Sequence, residues 1–168
     1  MDVKMMEDTD LTSDILVYNI LRETDDPIIR ACNLKFIDKS VPAEEDSTIY
    51  IANVTLNPQL DTFTMTEYDA NVNIFVKTKQ TDYLSASRFL RTVLKHIKLV
   101  LKKDRRCRQR SIKFAQTTFQ YGSTYTLKGV TLMIQMKESE DMSYDLEEDI
   151  SCIADFRVDT NGKEEDEG

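Results

Sequence analysis

The sequence contains one histidine, His96. Any Ser/His/Asp or Cys/His arrangement would have to use it, and no motif surrounds it. A lone histidine beside the apolar stripe of a helix is ordinarily a packing or surface residue rather than a base. Glycine is scarce, with 4 in the chain, and neither GxGxxG nor GxxxxGK followed by Ser or Thr occurs. A phosphate-cradling loop is therefore missing, and no cofactor is expected. With only 3 prolines as well, a Gly/Pro-rich linker or collagen-like segment is excluded.

Cys32, Cys107 and Cys152 are odd in number and widely spaced, with no CxxC pair. That fits neither a secreted disulfide framework nor a zinc site, and reduced thiols are the expectation. The acidic groups Glu44-Glu45 and Glu147-Glu148-Asp149 lack the alternating spacing of a calcium loop. They read as solvated charge, and no metal site is expected. No window approaches the roughly 18 apolar residues of a membrane span. The opening MDVKMMEDTD has no basic stretch followed by an apolar run, so a signal peptide is not expected. The expectation is a soluble protein, cytoplasmic at synthesis, without a membrane partner. With no catalytic constellation, it is expected not to be an enzyme.

What is present is enough for one domain: 168 residues, 40% of them apolar. The net charge is −8, yet Arg88–Arg110 (RFLRTVLKHIKLVLKKDRRCRQR) holds ten of the 22 Lys and Arg residues and a single acid, Asp104. Such a run can bind nucleic acid, lie on a membrane, meet an acidic protein surface, or simply be a solvated helix face.

Periodicity gives the elements. Leu11–Thr24 reads as a helix, with Asp10 or Thr12 as N-cap, stopped by Asp25-Asp26-Pro27. Ile28–Ile37 is assigned as a short strand, and Asp38–Ser47 as a loop. Thr48–Leu56 is rich in β-branched and aromatic residues and reads as a strand. Asn57–Tyr68 (NPQLDTFTMTEY) opens on a turn dipeptide, is mostly polar, and reads as a long exposed hairpin loop. In Asp69–Lys79, Ala70, Val72, Ile74 and Val76 share one face of a half-buried strand, Asn71, Asn73 and Lys77 the other, with Phe75 as the exception.

Asp82 is the cap of a long helix over Tyr83–Lys103. Tyr83, Ala86, Leu90, Val93, Ile97 and Val100 or Leu101 form its apolar stripe, with Arg88, Arg91, Lys95, Lys98 and Lys102 largely off it. The basic extension DRRCRQR leads on to two strands, Ser111–Gln120 and Tyr125–Lys137. They are joined as a hairpin in which Gly122 supplies the permissive backbone position. Val130, Leu132, Ile134 and Met136 share one face of the second. From Glu138 the chain turns acidic, with Ser151–Val158 as a late strand or docking segment and a disordered acidic end, NGKEEDEG.

The order predicts an α+β fold: a mainly antiparallel sheet, with an N-terminal helix and one long amphipathic helix packed on one face. Residues 1–10 form a polar segment, 11–137 the domain, and 138–168 an acidic C-terminal extension. Nucleic-acid binding by 88–110 would add salt-dependent affinity from each neutralised phosphate. Aromatic interleaving there is thin, however: only Phe89 lies inside the run, with Phe114 just beyond. Net charge is also of the wrong sign for it. Basic run and acidic extension can instead pair with each other, within a chain or between neighbours in a ring.

An N-terminal helix, a loop carrying VPAEEDSTIYI, a long loop, DANVNIFVKTK, the helix TDYLSASRFLRTVLKHIKLVL and two closing strands together resemble the tail terminator (tail completion) proteins of long-tailed bacteriophages and related head–tail joining proteins. The resemblance covers about Leu11–Lys137 and rests on element order and on the spacing of VNIFVKT before the helix. It implies a ring of copies of this chain, usually a hexamer, that caps the tail tube and joins it to the head. The implied partners are the tail tube protein, head–neck connector proteins and DNA passing through the ring. The implied place is the virion tail or neck, assembled in the host cytoplasm. It implies no catalytic residue.

Under it, Asn57, Gln59, Asp61, Phe63, Met65 and Glu67 belong to a loop reaching the tail tube. Lys102, Lys103, Arg105, Arg106, Arg108 and Arg110 sit at a subunit or neck contact, or near DNA. The length of the basic run and the acidic extension depart from the family pattern.

Overall fold

The computed structural model describes residues 11–37, 47–142 and 146–154. Helix α1 spans Ser13–Glu23 and buries Leu16, Val17, Ile20 and Leu21. Its N-cap, Thr12, makes no side-chain bond. The carboxylate of Glu138, far along the chain, accepts instead from the Ser13 backbone N–H (3.1 Å) and Ser13 Oγ (2.8 Å). An acid at a helix N-terminus satisfies an orphan donor and complements the helix dipole.

Asp25-Asp26-Pro27 does end α1, but it also starts helix α2, Pro27–Arg30. Asp26 Oδ1 accepts from the N–H groups of Ile28 (2.9 Å) and Ile29 (3.1 Å), and Pro27 sits where a missing N–H costs nothing. The strand expected over Ile28–Ile37 is therefore a helical turn followed by a shorter strand β1, Asn33–Phe36. The loop expected over Asp38–Ser47 lies, except for Ser47, outside the described residues.

Strand β2 runs Thr48–Asp61 and β3 runs Met65–Lys77. The exposed loop expected over Asn57–Tyr68 is thus strand on both sides of a three-residue turn, Thr62 to Thr64. Thr62 closes the turn: its N–H and Oγ1 both donate to the Met65 carbonyl at 2.9 Å. Helix α3 occupies Tyr83–Lys103, with Asp82 Oδ2 accepting from the Ser85 N–H at 3.0 Å. Ala86, Leu90, Val93, Leu94, Ile97 and Leu101 are buried, while Tyr83 is half exposed.

The basic extension forms a fourth helix, α4, Arg105–Gln109, rather than passing straight into a strand. Asp104 ends α3 and caps α4, its Oδ1 accepting from the Arg106 N–H at 2.9 Å. Cys107 is buried, which pushes its thiol up to about 12 and leaves it unreactive.

Strands β4 (Lys113–Tyr121) and β5 (Leu127–Asp141) form the last hairpin. The left-handed position of its turn is Tyr125 (φ 57°), not Gly122. Strand β5 also runs four residues past Lys137, so the first acidic residues of the C-terminal region belong to the sheet.

The sheet order is β1-β2-β3-β5-β4, antiparallel except for the parallel β1–β2 pair. The fold is α+β. Ile49 and Ile51, Ala70 to Val76 by alternation, and Val130 to Met136 by alternation turn one face to α1 and α3. Burying each such side chain contributes roughly 1.5–3 kcal/mol.

The opposite face carries Asn53, Asn71, Asn73, Thr131 and Gln135, joined by cross-strand amide bonds such as Asn73 Nδ2 to Asn53 Oδ1 (2.9 Å). At Gly129 a Cβ would meet the Phe75 ring at 2.5 Å. The glycine makes room for that ring, which stacks in turn on Tyr50.

Candidate functional site

Beyond the body, the far ends of β2, β3 and β5 form an arm. Met65 pairs with Asp141 and Asp61 with Thr66, so three strands run to its tip. Along the arm Phe63 is fully exposed, and Leu56, Leu60 and Met142 are each more than two-fifths exposed. The six residues expected to form one contact loop are divided by strand alternation. Asn57 and Glu67 lie on the amide-bearing face, opposite Asp69 and Ser139 respectively. Asp61 lies on the helix side and accepts from Thr66 Oγ1 at 2.9 Å. Gln59 lies at a bulge between Pro58 and Leu60, Met65 pairs with Asp141, and of the six only Phe63 sits in the turn itself.

The basic residues are also divided. Arg106 folds back on Asp104 (Nε–Oδ1 3.1 Å, Nη2–Oδ2 3.0 Å) and approaches Glu23 at 3.8 Å. Burial pushes the Asp104 carboxyl up, but the Arg106 guanidinium and the amides of α4 outweigh it and hold it below the usual carboxylate range. Arg110 donates to the Leu11 carbonyl and to Ser13 Oγ, joining the same knot as Glu138. Arg106 and Arg110 therefore tie α4 to α1. Lys102, Lys103, Arg105 and Arg108 are exposed.

Lys102 belongs to a different group. Arg91, Lys95, Lys98 and Lys102 recur at four, three and four residues, which puts them on one side of α3. Beside them runs β4, the edge strand, and between helix and strand lies a groove of about 460 Å³. Leu94, Leu99, Thr117 and Phe119 line it with the four cations. Arg91 lies 4.7 Å from the Phe119 ring centre, and Lys98 and Lys102 lie 5.8 and 5.4 Å from that of Phe114. The three-to-four spacing on α3 was visible in sequence. The phenylalanine partners, on another strand, were not.

His96 faces away from the groove chemistry. Its Nδ1 meets Asp26 Oδ2 at 2.7 Å, fastening α3 to the cap of α2. Burial pushes Asp26 up, but the hydrogen bond from His96 and the amides of Ile29 and Ile28 hold its carboxyl below the usual range.

The sequence matches no protein-family model and no curated protein.

Among the described residues, no cluster of His, Cys, Asp and Glu could hold a metal ion, and no helix is long and apolar enough to cross a membrane. The acidic region contributes one more surface. Residues 146–154 are helical, where a strand was one expectation for Ser151 onward, and every side chain is exposed. Leu146, Ile150 and Ile153 are each just over half exposed.

Proposed function

We propose that this chain is a self-assembling structural protein of the tail end or neck of a long-tailed bacteriophage. Copies form a ring, hexameric as the resemblance implies, that caps the tail tube and joins it to the head. The ring is part of the virion, assembled in the host cytoplasm, with DNA passing through its centre. Tail tube and head–neck connector proteins are its neighbours.

One observation favours this reading over a monomeric fold. Phe63, fully exposed, sits at the end of strands continuous with the core. A large aromatic held out on a rigid arm is suited to contact with another protein, where such residues dominate binding energy. The test is native mass by light scattering across concentration and salt, with negative-stain images of the peak. A ring of several subunits with a central hole is expected. A monomer under every condition, alone and with tail tube protein, overturns the proposal.

The second reading, nucleic-acid binding through 88–110, has the four groove cations and two phenylalanines in its favour. Each ring already carries a cation over it, which leaves a poor stacking platform for bases. A DNA titration at two salt concentrations separates the readings, since phosphate binding weakens steeply with salt.

A further inference from the structure

The groove between α3 and β4 and the helix at 146–154 are complementary in both chemistry and form. The groove has an apolar floor of Leu94, Leu99 and Phe119 beside the row Arg91, Lys95, Lys98 and Lys102. The helix has an apolar stripe, Leu146, Ile150 and Ile153, at four- and three-residue spacing. At 100° per residue, Glu147 falls on one side of that stripe and Asp149 on the other. In proteins a helix draws most of its stability from packing its amphipathic face. Here that means covering the stripe, and within the described chain the stripe is uncovered.

The helix cannot lie along the groove of its own chain: even with the roughly 12 Å spanned by residues 146–154 added to the linker, only the last of them comes level with the groove's nearer end. Met142 is held at the arm's tip, its N–H donating to the Thr64 carbonyl. The nearer end of the groove is level with Phe114, which pairs with Ile134 on β5. Eight residues of strand separate Ile134 from Met142, about 26 Å. Four residues link Met142 to Leu146, at most about 14 Å when fully extended. The farther end, Phe119, pairs with Val130, another four residues away.

We infer that the 146–154 helix of one copy docks in the α3–β4 groove of a second copy. Its apolar stripe lies on Leu94, Leu99 and Phe119, and one of the acids that flank the stripe, Glu147 or Asp149 according to the direction of docking, lies against the row Arg91, Lys95, Lys98 and Lys102. This rests on the self-assembly proposed above and supplies the contact that links one subunit to the next. The contact is head-to-tail: the surface each copy gives differs from the surface it receives. Repetition of such a contact closes a ring or grows a filament.

The experiment compares full-length protein with three variants by sedimentation across concentration. The variants are Ile150→Asp, Lys95→Glu with Lys98→Glu, and Glu147→Lys with Asp149→Lys. A fourth protein combines both charge reversals. Each of the three should raise the concentration at half-assembly by at least about tenfold, as loss of a central interface residue does. The combined reversal should recover most of that loss. Circular dichroism confirms that each variant is folded.

Assembly unchanged in Ile150→Asp overturns the docking and leaves the ring standing. A wild-type protein that never assembles overturns the ring itself, and the docking with it. Folded Lys95→Glu/Lys98→Glu protein that assembles normally but no longer binds DNA assigns the groove to nucleic acid and overturns the docking.

Discussion

Helix α3 and the 146–154 helix are both amphipathic, but only one has its apolar side covered. Over Tyr83–Lys103, Leu90 and Ile97 are completely buried against the sheet and the cations face out. Over 146–154, Leu146, Ile150 and Ile153 remain open. An apolar stripe states that a face must be covered, but not by what. Placement separates the cases. Helix α3 spans the core and packs on several strands, whereas residues 146–154 follow closely on Met142 at the arm's tip, and every described side chain there is exposed.

The sharpest test places one charge in each stripe. Ile97→Asp buries an unpaired carboxylate in the core and should cost more than about 4 kcal/mol, leaving no cooperative unfolding transition. Ile150→Asp should leave the urea midpoint of dilute protein within about 0.5 kcal/mol of wild type. Equal losses in both would erase the distinction between covered and open.

A second test contrasts acids of the same C-terminal region. Glu138→Ala removes the cap of α1 and strands the Ser13 N–H, for an expected loss of about 1–3 kcal/mol in chemical denaturation. Glu147→Ala should change the same measurement by less than about 0.5 kcal/mol.

The third concerns how α3 is fixed. Asp26 has a folded-state pKa below its unfolded value, as does Asp104. The stability each contributes is present above the unfolded pKa of about 3.9 and is lost as pH falls through the lower folded value. Melting temperature should therefore drop steeply below about pH 4, and Asp26→Asn should flatten that drop. At neutral pH His96→Ala should cost about 1–2 kcal/mol. A smaller loss is expected at the groove: Arg91→Ala should cost about 0.5–1 kcal/mol from its contact over Phe119.

Much of the fold was legible from sequence because the signals were local. Asp82 and the Ala86–Leu101 stripe fixed α3 at both ends, and the alternation from Ala70 to Val76 fixed the core of β3. The arm was misread because Asn57-Pro58 resembles a turn and β2 from Thr55 onward is exposed on both faces. Strands exposed on both sides have no reason to alternate, so only pairing reveals them. At α2 and α4 an aspartate was read as a stop or as part of a basic run, when it was also the cap of the next turn of helix.

The left-handed residue of the β4–β5 turn fell on Tyr125 although a glycine lay three positions away. At the candidate site, one row of cations was legible from its spacing. The rings beneath it and the Glu138–Ser13–Arg110 knot were not, since each joins residues distant in the chain.

The pairing of β3 with β5 has a mechanical meaning. From Met65–Asp141 to Lys77–Gly129 the two strands run in register without a bulge, whereas β2 beside them is bulged twice. Thirteen paired residues make a stiff rod of about 40 Å, with Phe63 at one end and the side chains beneath α3 at the other. A load applied at the tip passes along that rod into the interior, so an event at the far end of the arm would be felt beneath α3.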